Sequence, residues 1–104
     1  INYIEPMFTA VQCASGLKEW WVNDKRHREA DKPAIEHADG NKEWYRNGRL
    51  HREEDLPAIE HENGWKFWYV NGKLHREANK PIIEHPSGFK GWCRKDHIIR
   101  SKSC

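Results

Sequence analysis

Apolar and polar residues alternate along short segments of this chain, and the alternation recurs with a period of 24 residues. The segments KEWYRN and KFWYVN are rich in aromatic residues, and the Asn that ends each of them is followed by Gly; Asn-Gly is a strong signal for a two-residue β-hairpin turn. A second turn, at a glycine, separates each AIEH-type segment from the next aromatic segment. No window keeps an apolar period of 3.6 residues over the length of a helix. The pattern predicts an all-β fold of tandem β-hairpin repeats that form an elongated antiparallel meander or solenoid-like sheet.

The repeat also defines the domain organisation of the chain. Three full copies occupy residues 16–39, 40–63 and 64–87, and each copy begins with glycine. Residues 1–15 align as a degenerate N-terminal cap, and residues 88–104 form a partial C-terminal copy. Degraded terminal copies are typical of repeat arrays. We therefore predict a single repeat array over the whole chain.

Positions that are identical in all three full copies show what one repeat requires. Eleven of the 24 positions meet this test, and they include one Trp, one Pro and one Ile in each copy. We expect the Trp and Ile series to pack together as a continuous core ladder, and each Pro to mark the start of a strand. The ladder residues are Trp20, Trp44, Trp68 and Trp92, with Ile35, Ile59 and Ile83. The two turn signals predict two turns in each repeat.

A second aromatic column is predicted on the face opposite the invariant tryptophans. It consists of Trp21, Tyr45 and Tyr69, because neighbouring residues of a strand point to opposite faces of a sheet. Exposed rows of aromatic side chains are surfaces that protein partners use. The alternative interpretation is that the rings support the stems of neighbouring Arg and Lys side chains.

One further pair of aromatic residues breaks the repeat pattern. Trp65 and Phe89 occupy a position at which the first two copies carry Leu17 and Asn41. Since the repeat forms without an aromatic residue there, we interpret Trp65 and Phe89 as a candidate binding hot spot at the C-terminal end of the array.

The most repeated polar string is His-Arg-Glu. Its arginines are Arg28, Arg52 and Arg76, and each can pair with the Glu of the same string or with the Glu of an adjacent AIEH strand. Repeated in every copy, such pairs would form a ladder that holds the repeats in register. The alternative is that the arginines recognise a carboxylate or phosphate group of a partner.

Metal-binding and catalytic chemistry have little support in the sequence. Six of the seven histidines form two columns whose spacing of 10 and 14 residues matches no closed structural zinc motif, so we expect no metal and no cofactor. We also expect no enzymatic activity, because the chain lacks a nucleophile elbow, a P-loop, a dinucleotide-binding motif and a zincin motif. Cys93 and His97 lie four residues apart, but they fall in the partial copy and are not expected to catalyse a reaction. The histidine columns are His27, His51 and His75, and His37, His61 and His85.

Charge and composition narrow the classes of partner. The 18 Lys and Arg residues nearly balance 16 Asp and Glu residues, which disfavours nucleic acid and anionic membranes as partners. Aromatic residues make up 12% of the chain, which argues against disorder. The mean hydropathy of −1.07 leaves no run near the roughly 20 apolar residues of a membrane span. Three cysteines without CxxC spacing predict a reducing, cytoplasmic setting.

The segments WYRNGRLH and WYVNGKLH, each followed by a short strand and a turn at ENG or PSG, resemble MORN-type repeats, in particular their divergent MORN-like variants. The resemblance covers nearly the whole chain. It implies stacked β-hairpins in an elongated sheet, in arrays that mostly serve as binding scaffolds. The chain departs from the family where MORN repeats carry a G-x-G pair after the hairpin, since it has HRE and later Pro there. Long arrays of this HRE…PAIE type look like those of phage, giant-virus and bacterial proteins.

Together these features predict a non-enzymatic interaction module that binds another protein and blocks or sequesters it. Three alternatives stay open: binding of single-stranded nucleic acid, binding of phospholipid headgroups as in MORN proteins, and an architectural array that self-associates through its sheet edges. The predicted partner-binding residues are Trp21, Tyr45, Trp65, Tyr69 and Phe89, with Arg28, Arg52 and Arg76 beside them.

Overall fold

Short antiparallel strands make up the chain in the computed structural model, which describes residues 8–77, 80–94 and 97–100. Within these residues there are fourteen strands and no helix, so the predicted all-β, β-hairpin class is confirmed. It follows that no helix there is long and apolar enough to cross a membrane. The molecule is elongated, with extents of 56 × 36 × 20 Å. Residues 1–7 of the predicted cap and residues 101–104 lie outside the described part.

Every strand contains two to five residues. The strands are β1 Phe8–Gln12, β2 Lys18–Val22, β3 Lys25–Arg26, β4 Ile35–Glu36, β5 Lys42–Glu43, β6 Tyr45–Arg46, β7 Arg49–Leu50, β8 Ile59–Glu60, β9 Lys66–Phe67, β10 Tyr69–Val70, β11 Lys73–Leu74, β12 Ile83–Glu84, β13 Lys90–Arg94 and β14 His97–Arg100. The main sheet has the order β1-β2-β4-β5-β8-β9-β12-β13-β14, and β3 pairs with β2. The hairpins β6–β7 and β10–β11 form separate two-stranded sheets.

The aromatic segments are not continuous strands in the second and third copies, because they change hydrogen-bonding partner at the tryptophan. The Trp44 amide donates to the Ala58 carbonyl at 2.7 Å, whereas the Trp44 carbonyl accepts from the His51 amide at 3.0 Å. Residues before Trp44 therefore pair within the main sheet, and residues after it pair within their own hairpin. Trp68 makes the equivalent bonds to Ile82 and His75.

The two predicted turns are present in each full copy. Asn47 and Gly48 have φ angles of 51° and 84°, the positive values that a type I′ hairpin turn needs at both central positions. At the second turn Gly64 has a φ of 101°, and its amide donates to the His61 carbonyl at 2.9 Å. A Cβ at Gly64 would lie 2.5 Å from Pro86 Cγ, so neighbouring turns along this edge leave no room for a side chain.

The prediction of two turns per repeat is wrong, because the sequence between the HRE string and the proline forms a third turn. Its central residues have positive φ without being glycine: 61° and 54° at Ala30 and Asp31, and 62° and 57° at Glu54 and Asp55. The Lys32 amide closes the first of these turns by donating to the Glu29 carbonyl at 3.3 Å. The chain therefore reverses direction between the HRE string and the following AIEH-type strand.

The predicted packing of the tryptophans against Ile35, Ile59 and Ile83 is also wrong. Residues directly opposite each other in an antiparallel pair share a face, and Ile35 lies opposite both Glu19 and Glu43. Glu43 belongs to the same face as Tyr45, since the Tyr45 hydroxyl donates to its carboxylate at 3.0 Å. The isoleucines therefore lie on the face of the tyrosines, which we call the tyrosine face.

The opposite face, which carries Trp20, Trp44 and Trp68, is called the tryptophan face. Its buried core contains the residue that precedes each isoleucine, because that residue lies across from the tryptophan backbone. Ala34 and Ala58 are fully buried, and Ile82 is 3% exposed. Trp44 and Trp68 are 6% and 5% exposed, so the prediction that the tryptophans are core residues is confirmed for these two.

Candidate functional site

The arginines of the HRE string lie on the tryptophan face, where they are bonded within the array. Arg52 Nε and Nη2 donate to the Asp31 carboxylate at 3.0 and 3.2 Å, which links the second copy to the first. Arg52 Nη1 donates to the Pro57 carbonyl and to Glu60, and the guanidinium lies 3.7 Å from the centre of the Trp44 ring. The side chain is 12% exposed. These four hydrogen bonds and the ring contact leave Arg52 little capacity to bind a partner.

The other two arginines repeat this arrangement with one difference. Arg76 bonds Asp55, the Pro81 carbonyl and Glu84, so it links the third copy to the second. Arg28 bonds Pro33 and Glu36 of its own copy only, among the described residues. The predicted pairing of each arginine with the Glu of the AIEH-type strand is therefore confirmed, but these pairs lie within one copy. The links between copies are made by Asp31 and Asp55, which the sequence analysis did not identify. The structure places Arg28, Arg52 and Arg76 on the face opposite the predicted aromatic contact residues.

The indole groups complete the link between copies. Trp44 Nε1 donates to the Asp31 carbonyl, and Trp68 Nε1 donates to the Asp55 carbonyl, both at 3.0 Å. Each third turn is thus held by the tryptophan and the arginine of the following copy. Bonds to Arg76 and Lys80 keep the pKa of the Asp55 carboxyl low, at about 2.

Two histidines of the first column hold the hairpins of successive copies together. His27 Nδ1 accepts a hydrogen bond from the Asn47 amide at 3.1 Å, and His51 Nδ1 accepts one from the Asn71 amide at 3.0 Å. The Nε2 atom of His51 contacts the Glu53 carboxylate. This contact and the neighbouring Arg46 lower the pKa of Glu53. These histidines have structural partners on both ring nitrogens.

The tyrosine face brings the predicted aromatic contact residues together. Trp21, Tyr45 and Tyr69 are half-buried, and Arg26 lies over the first two rings, 5.0 and 5.6 Å from their centres. Burial and the neighbouring Glu43 carboxylate raise the pKa of Tyr45 to about 12, and the same causes raise the pKa of Tyr69. The rings of Trp21 and Tyr45 therefore support the side chain of Arg26, which agrees with the alternative interpretation of this aromatic column.

The raised pKa values predict a loss of stability in alkali. Folded Tyr45 stays neutral up to about pH 12, whereas an unfolded tyrosine ionises near pH 10. A raised pKa contributes stability that is complete below pH 10 and is lost as the pH rises towards 12. We expect the midpoint of urea unfolding to fall over this range, and to fall less in a Tyr45→Phe variant. Equal losses in the two proteins would contradict the assigned environment of Tyr45.

At the C-terminal end of the tyrosine face, Trp65 is the centre of a cluster of rings. Its ring centre lies 4.5 Å from that of His85, 5.3 Å from Phe89 and 6.2 Å from Phe67. Phe67 also meets His61 edge-on at 5.6 Å. All five side chains are half-buried, and we call them the aromatic cluster. The predicted pairing of Trp65 with Phe89 is confirmed as a contact.

The sequence analysis missed Phe67 as a member of this cluster. The first two copies carry Glu19 and Glu43 at the same position, and Glu43 bonds His37 and Tyr45 there. Replacing that carboxylate by Phe67 turns a polar site into an apolar one. The departure from the repeat was visible in the sequence, and it is the same kind of signal that identified Trp65.

Other candidate chemistry has no assembled site in the described part of the chain. No group of three or more His, Cys, Asp or Glu side chains is placed there to hold a metal ion. Cys13 is exposed with a free thiol. The side chains of Cys93 and His97, the candidate nucleophile and base, lie outside the described residues.

No family model, curated protein or solved structure matches this chain.

Proposed function

We propose that this protein is a non-enzymatic β-repeat interaction module that binds a partner protein through its tyrosine face. The aromatic cluster around Trp65 is the anchor of that interaction. The observation that carries the proposal is the contact of Trp65, Phe67 and Phe89 at positions that need no aromatic residue in the other copies. Half-buried aromatic residues held by their neighbours are the side chains that dominate binding hot spots.

The two faces of the sheet differ in their side-chain contacts, which supports a structural role for the tryptophan face and a binding role for the tyrosine face. The tryptophan face uses its charged groups internally, because Asp31, Asp55 and the arginines of the HRE strings bond one another. On the tyrosine face, half-buried aromatic side chains occur in each full copy, from Trp21 and Tyr45 to Tyr69 and the aromatic cluster. An elongated surface of this kind can cover an extended region of a partner, and in that way block or sequester it. We assign partner binding to the aromatic residues of the tyrosine face and a structural role to the arginines of the HRE strings.

We also propose that the repeats are MORN-like. The support is architectural, since the chain folds into successive β-hairpins along one elongated sheet, as the resemblance implies. The internal bonding of the arginines and the near balance of charge favour a protein partner over nucleic acid or lipid headgroups.

The experiment is a pull-down from native lysate with the wild-type chain and a Trp65→Ala variant as baits. Trp65 is half-buried, and among the described residues its ring contacts are those of its cluster, so the variant is expected to fold while losing most of the captured partner. Nuclease and about 0.5 M salt are included, because binding through phosphates collapses at high salt. The readout is the amount of each captured protein, by mass spectrometry.

One protein retained at fixed stoichiometry by the wild type, and lost with Trp65→Ala, is the expected result. A Leu17→Ala variant is the matched control, because it changes the equivalent position of the first copy and leaves the aromatic cluster intact. Equal capture by wild type and Trp65→Ala would contradict the proposed surface. Loss of every captured protein after nuclease treatment would contradict the proposal of a protein partner and would indicate that the chain binds nucleic acid.

A further inference from the structure

The tips of the Asn-Gly hairpins form one edge of the array, and this edge carries a row of cations. Lys25, Arg49 and Lys73 follow the turn in the first, second and third copies, and all three are exposed. The tips pack closely: a Cβ at Gly48 would lie 3.6 Å from Lys25 Cβ, and one at Gly72 would lie 3.8 Å from Arg49 Cβ. The three cations therefore lie along one line, which we call the basic edge.

The side chains of the basic edge make no hydrogen bond or ion pair in the residues that the structure describes. By contrast, the other arginines whose side chains are described have acidic partners; Arg26 faces Glu19, and Arg46 bonds Glu53. Like charges placed side by side repel each other. Since the charged groups of Lys25, Arg49 and Lys73 have no ionic partner in the described part of the array, we look outside the chain for the use of a cation at this position in each full copy.

A polar groove of about 560 Å³ lies between the hairpin tips. It contains two cations of the basic edge, Lys25 and Arg49, together with Arg46, which pairs with the carboxylate of Glu53. Two asparagine side-chain amides of the groove can donate hydrogen bonds to an anion. Asp24 is the other carboxylate at the tips, next to Lys25 in sequence. The groove is lined by Lys25, Arg46, Asn47, Arg49, His51, Glu53 and Asn71.

We infer that the basic edge binds an extended acidic segment of a protein. Each repeat adds two strands, or about 10 Å, to the sheet. A peptide in the extended polyproline II conformation advances about 3.1 Å per residue with about three residues per turn, so one turn covers nearly that distance and every third side chain points to the same side. A peptide with an acidic residue at every third position thus matches successive cations of the edge. The groove has no Trp, Tyr or Phe among its lining residues, so it lacks the stacking surface on which proteins hold single-stranded nucleic acid.

The inference goes beyond the proposed function and uses different residues, so either can fail alone. The probe is a fluorescein-labelled peptide with glutamate at every third position, and its binding is measured by fluorescence anisotropy at about 50 mM and about 500 mM salt. A peptide with glutamine in place of glutamate, and an oligothymidine, are measured in parallel. The edge variant is Lys25→Ser, Arg49→Ser and Lys73→Ser. The control variant removes the same net charge elsewhere, through Lys32→Ser, Lys42→Ser and Lys66→Ser.

We expect the glutamate peptide to bind at low salt and to bind the edge variant about tenfold more weakly or worse, since three ion pairs are lost. The control variant should bind the peptide within about twofold of wild type. Both variants should keep the wild-type melting temperature within a few degrees, because the replaced side chains are exposed.

Three results would overturn the inference. They are absence of peptide binding at low salt, equal weakening in the edge and control variants, and tighter binding of the oligothymidine than of the glutamate peptide. The last result would assign the edge to nucleic acid. A Trp65→Ala variant that binds the peptide normally would show that the edge acts independently of the aromatic cluster.

Discussion

Replacing Trp68 with alanine is expected to unfold the array or reduce its stability by about 3–5 kcal/mol, the usual loss for a buried aromatic residue. Trp68 is 5% exposed, its indole donates to the Asp55 carbonyl, and the Arg76 guanidinium lies 3.8 Å from its ring centre. The variant therefore loses packing, a turn contact and the surface that supports an arginine. Small domains have about 5–15 kcal/mol of stability in total, so this is a large share.

The measurement is urea unfolding followed by tryptophan fluorescence and circular dichroism. Trp65→Ala is the matched control, because it removes the same side chain from a half-buried position of the same copy. We expect the control to lose much less stability than Trp68→Ala. If the two variants lost equal stability, the assignment of the two faces would be wrong.

The second large effect is expected for Arg52→Ala, at about 2–4 kcal/mol. The substitution breaks both bonds to Asp31 and leaves the carboxylate of Glu60 without its partner. It also uncovers the ring of Trp44. Because Asp31 belongs to the preceding copy, the variant weakens the link between copies as well as the second copy itself.

Arg28→Ala is the control for Arg52→Ala, since Arg28 makes the equivalent bonds within its copy but none to a preceding copy among the described residues. We expect Arg28→Ala to lose less stability in the same unfolding measurement. An Arg52→Lys variant should recover only part of the loss, because an ammonium group cannot bond both Asp31 oxygens in the planar geometry of a guanidinium. Equal stability of Arg28→Ala and Arg52→Ala would contradict the role given to Asp31.

The hairpins were predictable because their signals are local. Asn47-Gly48 and Asn71-Gly72 tolerate positive φ at low cost, and the glycines of the second turn meet the same requirement. The period of 24 residues then located the same turns in every copy. Local backbone preference and repetition together were enough to predict the fold class.

The sequence pattern did not predict which of two consecutive apolar residues lies on the same face of the sheet as the tryptophans. In the segments PAIE and PIIE two consecutive residues are apolar, so either could face the tryptophans. Side chains alternate with a period of two, and a shift of one residue reverses the face of a whole strand. The register of the sheet, with Ile35 opposite Glu43, places Ala34 on the tryptophan face, whereas Ile35 is buried on the tyrosine face.

The third turn had only a weak local signal, because Ala30 and Glu54 do not favour positive φ and the aspartates that follow them tolerate it but are less specific than an Asn-Gly pair. Tertiary contacts hold these residues at positive φ. The indole of the next tryptophan bonds the turn carbonyl, and the next arginine bonds the turn carboxylate. Such contacts lie 13 and 21 residues apart in sequence, beyond the reach of local propensity.

The aromatic cluster was predicted in part. Trp65 and Phe89 were identified because they depart from the repeat, and the structure brings them into contact. Phe67 departs from the repeat in the same way, but its role became clear only when the register placed it on the face of Trp65. The arginines were misplaced beside the aromatic residues, because the HRE string lies beyond the end of the hairpin strand, at Leu50 in the second copy, where strand alternation no longer decides which face a side chain occupies.

Site-specific photo-crosslinking in native lysate tests the central claim, that the tyrosine face binds a partner protein. A benzophenone amino acid, which keeps an aromatic ring at the substituted position, is placed at Trp65 in one protein and at Lys66 in another. Trp65 directly precedes β9 and Lys66 is its first residue, so the two neighbouring side chains lie on opposite faces of the sheet. The account predicts that position 65 crosslinks one protein partner and that position 66 crosslinks little or none of it. Equal crosslinking at both positions, or none at position 65, would contradict the account.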